Sequence, residues 1–285
     1  MTELALGTAN WGSSYGAPGR EVTVLEPLAA RLASAFVGAG HRLIDTAPAY
    51  GDAESLVGRV LDGAARVVTK LSPTAGRYDV DAALTTAQAS VRRLRVSRLD
   101  GVLLHDPLAA LGAPGDARSV LDALRGSGLA DRAGVSVYTP EEALSAVELV
   151  GADLVQVPCN LLDQRFAGGC IAALADHGVG VHVRSVFLNG VLLAEPDELR
   201  GSLASLAEPV RRIRLTASRL NTTPLRLALS FVRDTLGAQA VVFGAFELEQ
   251  LQAILAAWSA QPLPEMLWAD LAAPPGAAID PRDWQ

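Results

Sequence analysis

The chain has 285 residues, 50% of them hydrophobic and 19% charged, with 24 Lys and Arg against 31 Asp and Glu for a net charge of −7 at pH 7. This composition predicts one globular domain, residues 1–285, with a substantial core. It excludes a basic surface for nucleic acid; no uncharged run reaches the roughly 18 residues a membrane span needs, and no basic-then-apolar leader opens the chain, so the expected setting is cytoplasmic.

In chain order, short β-branched or leucine-rich runs alternate with longer segments of helical apolar spacing. The expected strands are Leu4–Ala9, Arg42–Asp45, Arg66–Lys70, Gly101–His105, Ala133–Val137, Leu154–Val157, Gly180–Val183 and Ala240–Phe243. Between them the spacing predicts helices over Leu25–Ala39, Ala53–Leu61, Val80–Leu94, Ala117–Gly128, Pro140–Leu149, Arg165–His177, Leu203–Arg219, Pro224–Thr235 and Glu247–Trp258. Thr139 and Thr223 each precede a proline and read as N-caps with proline in the first helical position. Strict strand–helix alternation implies parallel strands, and eight such units imply an α/β fold, a single (β/α)8 TIM barrel. No GxGxxG follows the first strand, which argues against a dinucleotide-binding open sheet. Residues 272–281 read as an irregular tail over the surface. Cys159 and Cys170 lack metal-site spacing and read as buried thiols.

In such a barrel, chemistry gathers at the C-terminal ends of the strands. The second strand ends at Asp45 and leads through Thr46-Ala47-Pro48-Ala49 to Tyr50; the third ends at Lys70 and the fourth at His105. A carboxylate, an ammonium, an imidazole and a phenol therefore share one rim. Lys70 is the only lysine in a chain whose other basic residues are all arginine. An ammonium is a compact charge that tunes neighbouring titrations where a guanidinium would not. Beside Asp45 it stays charged despite burial and favours the phenolate form of Tyr50. Tyr50 can then exchange a proton with a carbonyl or hydroxyl oxygen that His105 also hydrogen-bonds. Singly, each residue has an ordinary reading: Asp45 as a helix cap, Tyr50 as a loop ring, His105 as a satisfied core histidine. Their joint placement at three consecutive strand exits outweighs those readings.

These residues carry a resemblance. Leu6-Gly7-Thr8-Ala9, IDTAPAYGDAESLVGRVL from Ile44, VVTKL around Lys70, LLHDP around His105, GVSVY from Gly134, QVPCNLLDQR from Gln156, RSVFLNGVLL from Arg184 and the late VVFGAFELEQL follow family order over nearly the whole chain, and the sequence resembles an aldo-keto reductase. The resemblance implies an oxidoreductase that reduces an aldehyde or ketone, or oxidises the alcohol, by hydride transfer with NAD(P)H. Tyr50 would be the proton donor, with Asp45, Lys70 and His105 as its supporting tetrad. Cofactor contacts are expected at Ser136, Gln156, Arg184, Ser185 and Gly244. The first-strand loop and the C-terminal tail would wall the pocket, which nominates Trp11, Tyr15 and Trp284 as substrate contacts for a small carbonyl or sugar-like compound.

The cofactor side departs from the family pattern. Val137 follows Ser136 where the family places Asn, and Arg184 stands where an aromatic usually stacks on the nicotinamide; a cation against the oxidised ring is unfavourable. After the eighth strand no cation is available for a 2′-phosphate, and Glu247 would repel one. The redox reading with NAD(H), or with NADP(H) held through Ser185, the Gly244 backbone and a helix N-terminus, is therefore set beside two others. One is a cofactor-independent isomerase, epimerase or lyase of sugar or secondary metabolism using the same tetrad. The other is a non-catalytic binding subunit, which an intact tetrad disfavours. Arg184 and Asn189 are alternatively placed to meet an anionic or hydroxylated substrate. Arg165 reads as a helix start, His41 and His177 as structural, Phe231, Phe243 and Trp258 as packing, and His182 is left unassigned.

Overall fold

The computed structural model describes residues 2–16, 21–264, 268–274 and 276–284. Eight parallel strands, β1 (Glu3–Gly7), β2 (Leu43–Asp45), β3 (Arg66–Leu71), β4 (Leu99–Leu104), β5 (Ala130–Ser136), β6 (Leu154–Pro158), β7 (Gly180–Arg184) and β8 (Ala240–Gly244), close into one barrel in chain order. All eight coincide with expected strands, and the single barrel is the fold the alternation predicts.

Alternation along each strand decides what fills the barrel, because residues two apart share a face. Inside, Ala5, Leu43, Val68, Leu103, Leu154, Ala240 and Val242 form a closed apolar layer. Two residues further along, Asp45, Lys70, His105, Gln156 and Gly244 follow at the next inner level, and Ser136 joins them in register with Gln156, as does His182. The outer faces, among them Leu4, Leu6, Ile44 and Val67, pack on the helices in a second, larger core. Gly134 is required where β5 meets β6: a Cβ there would lie 1.5 Å from the Leu154 carbonyl oxygen.

The helices Ala53–Leu61 and Val80–Leu94 coincide with expectation, and Thr139 and Thr223 both cap as read, accepting from the Glu142 and Arg226 backbone amides. Elsewhere local chemistry overrides the apolar spacing. The helix begun at Pro140 ends at Ser145 and widens into a π turn, Ala146–Val150. Arg165 does not start a helix: its backbone N–H and its guanidinium both bind the Asp163 carboxylate, which holds a turn, and the helix opens only at Cys170. The 203–219 segment divides into a 3-10 stretch, Gly201–Leu206, and a helix, Ala207–Arg219, because Pro209 has no N–H to continue a helix from upstream. A short helix, Pro107–Gly112, follows β4, where Asp106 accepts from the Ala109 amide. Among the described residues no helix is long and apolar enough to cross a membrane.

Candidate active site

After Asp45 the chain turns tightly. The Tyr50 N–H donates to the Ala47 carbonyl at 3.0 Å and the Ala53 N–H to the Tyr50 carbonyl at 3.2 Å, while Gly51 adopts φ +63°, a region glycine enters freely. This link joins the strand to the helix Ala53–Leu61 and places the phenol beside Lys70, whose Nζ lies 5.1 Å from the ring centre. Below it, Asp45 and Lys70 are 5% and 2% exposed. Lys70 Nζ donates to Asp45 Oδ1 at 2.5 Å and to the Thr46 carbonyl at 3.1 Å. The other carboxylate oxygen, Oδ2, accepts from Gln156 Nε2 at 2.6 Å. Burial works against the ammonium, but the Asp45 carboxylate and the Tyr50 phenol outweigh it and hold Lys70 above the ordinary lysine range.

His105 lies one residue past β4, its N–H still donating to the Leu71 carbonyl at 2.8 Å. Its ring meets Tyr50 edge-on, with centres 5.9 Å apart and planes at 80°. Burial first, then the Lys70 charge, pushes the imidazole down to about 4, so it is neutral at neutral pH and keeps one N–H donor. The four rim residues expected to act together are thus brought together, with one charged pair beneath one phenol and one neutral imidazole.

A second buried acid braces this arrangement. Glu54, 2% exposed, accepts from Thr69 Oγ1 at 2.6 Å and from Arg93 Nε at 2.8 Å. It ties the helix that follows the Tyr50 loop to the strand that carries Lys70. The sequence places Glu54 in the stretch that carries the family resemblance but gives it no role of its own; the signal for one is a glutamate four residues after Tyr50 at the start of a helix, with an arginine on the next.

On the opposite arc, Ser136 and Gln156 are buried side by side, and Gln156 Oε1 has no partner among the described residues. Ser185 adopts a left-handed backbone with φ +60°; its carbonyl accepts from Asn160 Nδ2 at 3.0 Å and its hydroxyl from Arg184 Nη1 at 3.2 Å. Gly244 is exposed, and a Cβ there would meet nothing within 4 Å. The Arg184 guanidinium lies over the Tyr138 ring, with Cζ 4.4 Å from the ring centre, and Arg282 of the tail packs on the same ring at 3.5 Å. Neither Tyr138 nor Arg282 was singled out from sequence, since nothing local announces that the tail returns to β5.

The expected substrate contacts fare differently. Trp11 is 0% exposed and packs in the core, with its indole Nε1 without a partner among the described residues. Its segment pairs with Val24, and the Gly12 N–H donates to the Val24 carbonyl at 3.0 Å, which holds the first loop against that segment. Tyr15 stays exposed, its hydroxyl donating to Asn189 Oδ1 at 3.3 Å, within electrostatic reach of Tyr50, Arg184 and Tyr138. Trp284 is half-buried and spends its indole N–H on the Ala278 carbonyl at 2.9 Å, within the tail itself.

Comparison with known proteins follows the same lines. The model of the aldo/keto reductase family matches residues 3–273. An aldo-keto reductase of Mycobacterium ulcerans (strain Agy99) is 36% identical over 123 residues, 42% of this chain and 43% of that protein. One from Mycobacterium sp. (strain KMS) is 34% identical over 175 residues, 58% of this chain and 61% of that protein. The chain thus spans less than two thirds of the length of the curated relatives it matches. Among solved structures, the holo form of aldo-keto reductase AKR11C1 from Bacillus halodurans superposes with a TM-score of 0.74 at 20% identity, covering 92% of this chain and 88% of that one. The glycerol dehydrogenase AKR11B4 from Gluconobacter oxydans gives 0.71 at 22% identity, covering 92% and 87%. At such identities these likenesses speak to the fold.

Proposed function

This chain belongs to the aldo/keto reductase family, and from that premise we propose that it interconverts an aldehyde or ketone and the corresponding alcohol, exchanging hydride with a nicotinamide nucleotide. The observation that carries the proposal is the buried Lys70–Asp45 pair set beneath Tyr50 beside a neutral His105.

The residues at the exits of β5 and β6 suit the nucleotide's carboxamide. Gln156 Oε1 is a buried acceptor without a partner among the described residues, and an amide N–H would satisfy it. Ser136 stands beside it in register, and Gly244 offers an uncrowded backbone. When bound, the nucleotide supplies or accepts the hydride. From Val241 to Trp258 there is no Lys or Arg, and Glu247 directly precedes the helix Leu248–Trp258; a carboxylate there accepts from a ribose hydroxyl and repels a phosphate, so the reading favours NAD(H).

The proton belongs to the protein. In reduction, Tyr50 Oη gives its proton to the carbonyl oxygen, and the Lys70 ammonium balances the phenolate left behind. Asp45, tied to both Lys70 and Gln156, keeps that ammonium in place. His105 donates its remaining N–H to the same oxygen, so developing negative charge meets a fixed donor. In alcohol oxidation the same groups act in reverse, with the Tyr50 phenolate accepting the proton. General acid–base help of this kind is worth about 10²–10⁴ in rate.

The test joins binding to turnover. Purified protein is titrated with NADH and with NADPH by fluorescence, then assayed with a panel of aldehydes. Tyr50→Phe keeps nucleotide binding and loses about 100-fold or more in turnover. Full turnover in that variant, or no saturable binding of either nucleotide at millimolar concentration, overturns the proposal.

A further inference from the structure

At the end of the barrel opposite Tyr50, a hollow of about 190 Å³ opens between β5 and the turns that enter β7 and β8; its lining includes Arg132, Gln239, Gly178, Val179, Gly180 and Gly237. Arg132, half-buried near the start of β5, reaches under β6 and β7, where its Nη1 donates to Gln239 Oε1 at 2.7 Å. Gly180 leaves the passage open: a Cβ there would lie 2.2 Å from Arg132 Nη1 and 2.5 Å from Gln239 Oε1. The other cations at this end are balanced, Arg66 by Glu3 and Asp100, Arg98 by Asp131 and Arg125 by Asp153. With those carboxylates spent, Arg132 has none within ion-pair distance among the described residues. Its charge is felt inside the barrel, where it adds to the depression of His182.

A staple from β5 to the entrance of β8 uses one N–H of Arg132 and leaves the rest of its fork uncommitted. An arginine only donates, so that contact is made by the Gln239 oxygen, and the amide nitrogen is left as a second donor. The helix Cys170–Asp176 ends against the hollow, where bare carbonyls would repel an anion, but its last turn is taken up. The Leu174 carbonyl accepts from the His177 and Val179 N–H groups, the Ala175 carbonyl from the Gly178 N–H and the Ala173 carbonyl from His177 Nδ1. Two donor groups, one of them charged, in a hollow that no carboxylate lines among the described residues suit an oxyanion. At about 30 Å³ per water the space holds about six waters, or one phosphate group with a short carbon chain. We propose that this hollow binds the phosphate group of a small molecule, held by Arg132 and Gln239 at the end of the barrel away from the chemistry. The inference does not depend on the carbonyl–alcohol reading. Free phosphate and a phosphate monoester present the same oxygens, and the experiment separates the two.

Inorganic phosphate and glycerol 3-phosphate are each titrated into the protein by calorimetry at constant ionic strength, and saturable millimolar binding is expected. Arg132→Met loses about tenfold or more in affinity; Arg132→Lys, which keeps the charge and loses the fork, falls between, and Gln239→Leu loses severalfold. Should Arg132→Met fail to fold, as read by its melting temperature, Gln239→Leu decides. Amide NMR places the ligand: the signals of Gly178, Gly180 and Gly237 move during the titration, and those of Gly51 and His105 stay. In urea unfolding, a probe at ten times its dissociation constant raises the folded-to-unfolded ratio about tenfold. Phosphate also stabilises proteins by exclusion from their surface, so this increment is read as the difference from Arg132→Met, which lacks it. Tighter binding of the ester assigns the space beside Arg132 to the carbon chain of the ligand, and equal affinities assign the site to free phosphate. Affinities unchanged in the Arg132 and Gln239 variants, signal movement confined to Gly51 and His105, or no saturable binding of either probe at tens of millimolar concentration overturns the proposal.

Discussion

His182 offers a direct measure of how dry the barrel interior is. It sits on β7, 2% exposed, in register with Gln156 and Ala240, and its Nδ1 has no partner among the described residues. Burial pushes its imidazole down to about 4; Asp45 and Asp100 pull it up, while Arg132 and Lys70 add to the depression. In the unfolded chain a histidine titrates near about 6.5. Between those two values the unfolded state binds more protons than the native state, so stability is lost as the pH falls through this window. At about pH 5 an unfolded histidine is about 97% protonated and this one about a tenth, so the cost relative to pH 7.5 is about 2 kcal/mol, with a limit near 3.4 kcal/mol below pH 4. Urea unfolding at a series of pH values reads this. His182→Leu shifts absolute stability for packing reasons, but between pH 7.5 and 5 it loses about 2 kcal/mol less than the wild type. Parallel stability curves for the two proteins would refute the reasoning, because they would mean that the native imidazole takes up its proton as freely as an unfolded one.

Three further outcomes are expected. Arg93→Met strands the buried Glu54 carboxylate and lowers the unfolding free energy by about 3 kcal/mol, the low end for a broken buried pair because the arginine reaches solvent; a loss below about 1 kcal/mol in urea unfolding contradicts that bracing role. Gly134→Ala forces β5 and β6 apart at the 1.5 Å approach to Leu154, and soluble protein with the wild-type melting temperature would show the approach to be looser. Glu247→Lys replaces repulsion of a 2′-phosphate by attraction and moves the NADPH-to-NADH affinity ratio upward by about tenfold; an unchanged ratio in fluorescence titration places the adenosine elsewhere.

The barrel was legible because each strand announces itself by a β-branched run and each βα unit repeats. The convergence of Asp45, Lys70 and His105 was legible for a related reason: each stands two residues beyond an inward-facing apolar residue, Leu43, Val68 and Leu103, so period-two alternation alone sends all three to the inner rim. What escaped was decided by pairing across the chain. Trp11 follows a strand onto the barrel rim, and neither its burial nor its bridge to Val24 is announced by the local pattern. Arg165 opens a segment whose apolar spacing predicts a helix, and only its contacts with Asp163 show that a turn wins. Tyr138 and Arg282 are 144 positions apart and meet through the returning tail; no local pattern encodes that contact.

Gln156 shows how the rim sets its own polarity. A carboxylate can only accept hydrogen bonds, so the short contact with Asp45 Oδ2 must be made by the amide nitrogen of Gln156 and not by its oxygen. That assignment turns Oε1 away from the ion pair, and its lack of a partner follows from the charge on Asp45. Lys70 and Gln156 engage the two carboxylate oxygens of Asp45, one each, which fixes the carboxylate between β3 and β6. On the proposed reading, Tyr50 exchanges the proton at the mouth with neutral His105 as the adjoining donor, and the buried acceptor left on Gln156 suits an N–H donor of the bound nucleotide.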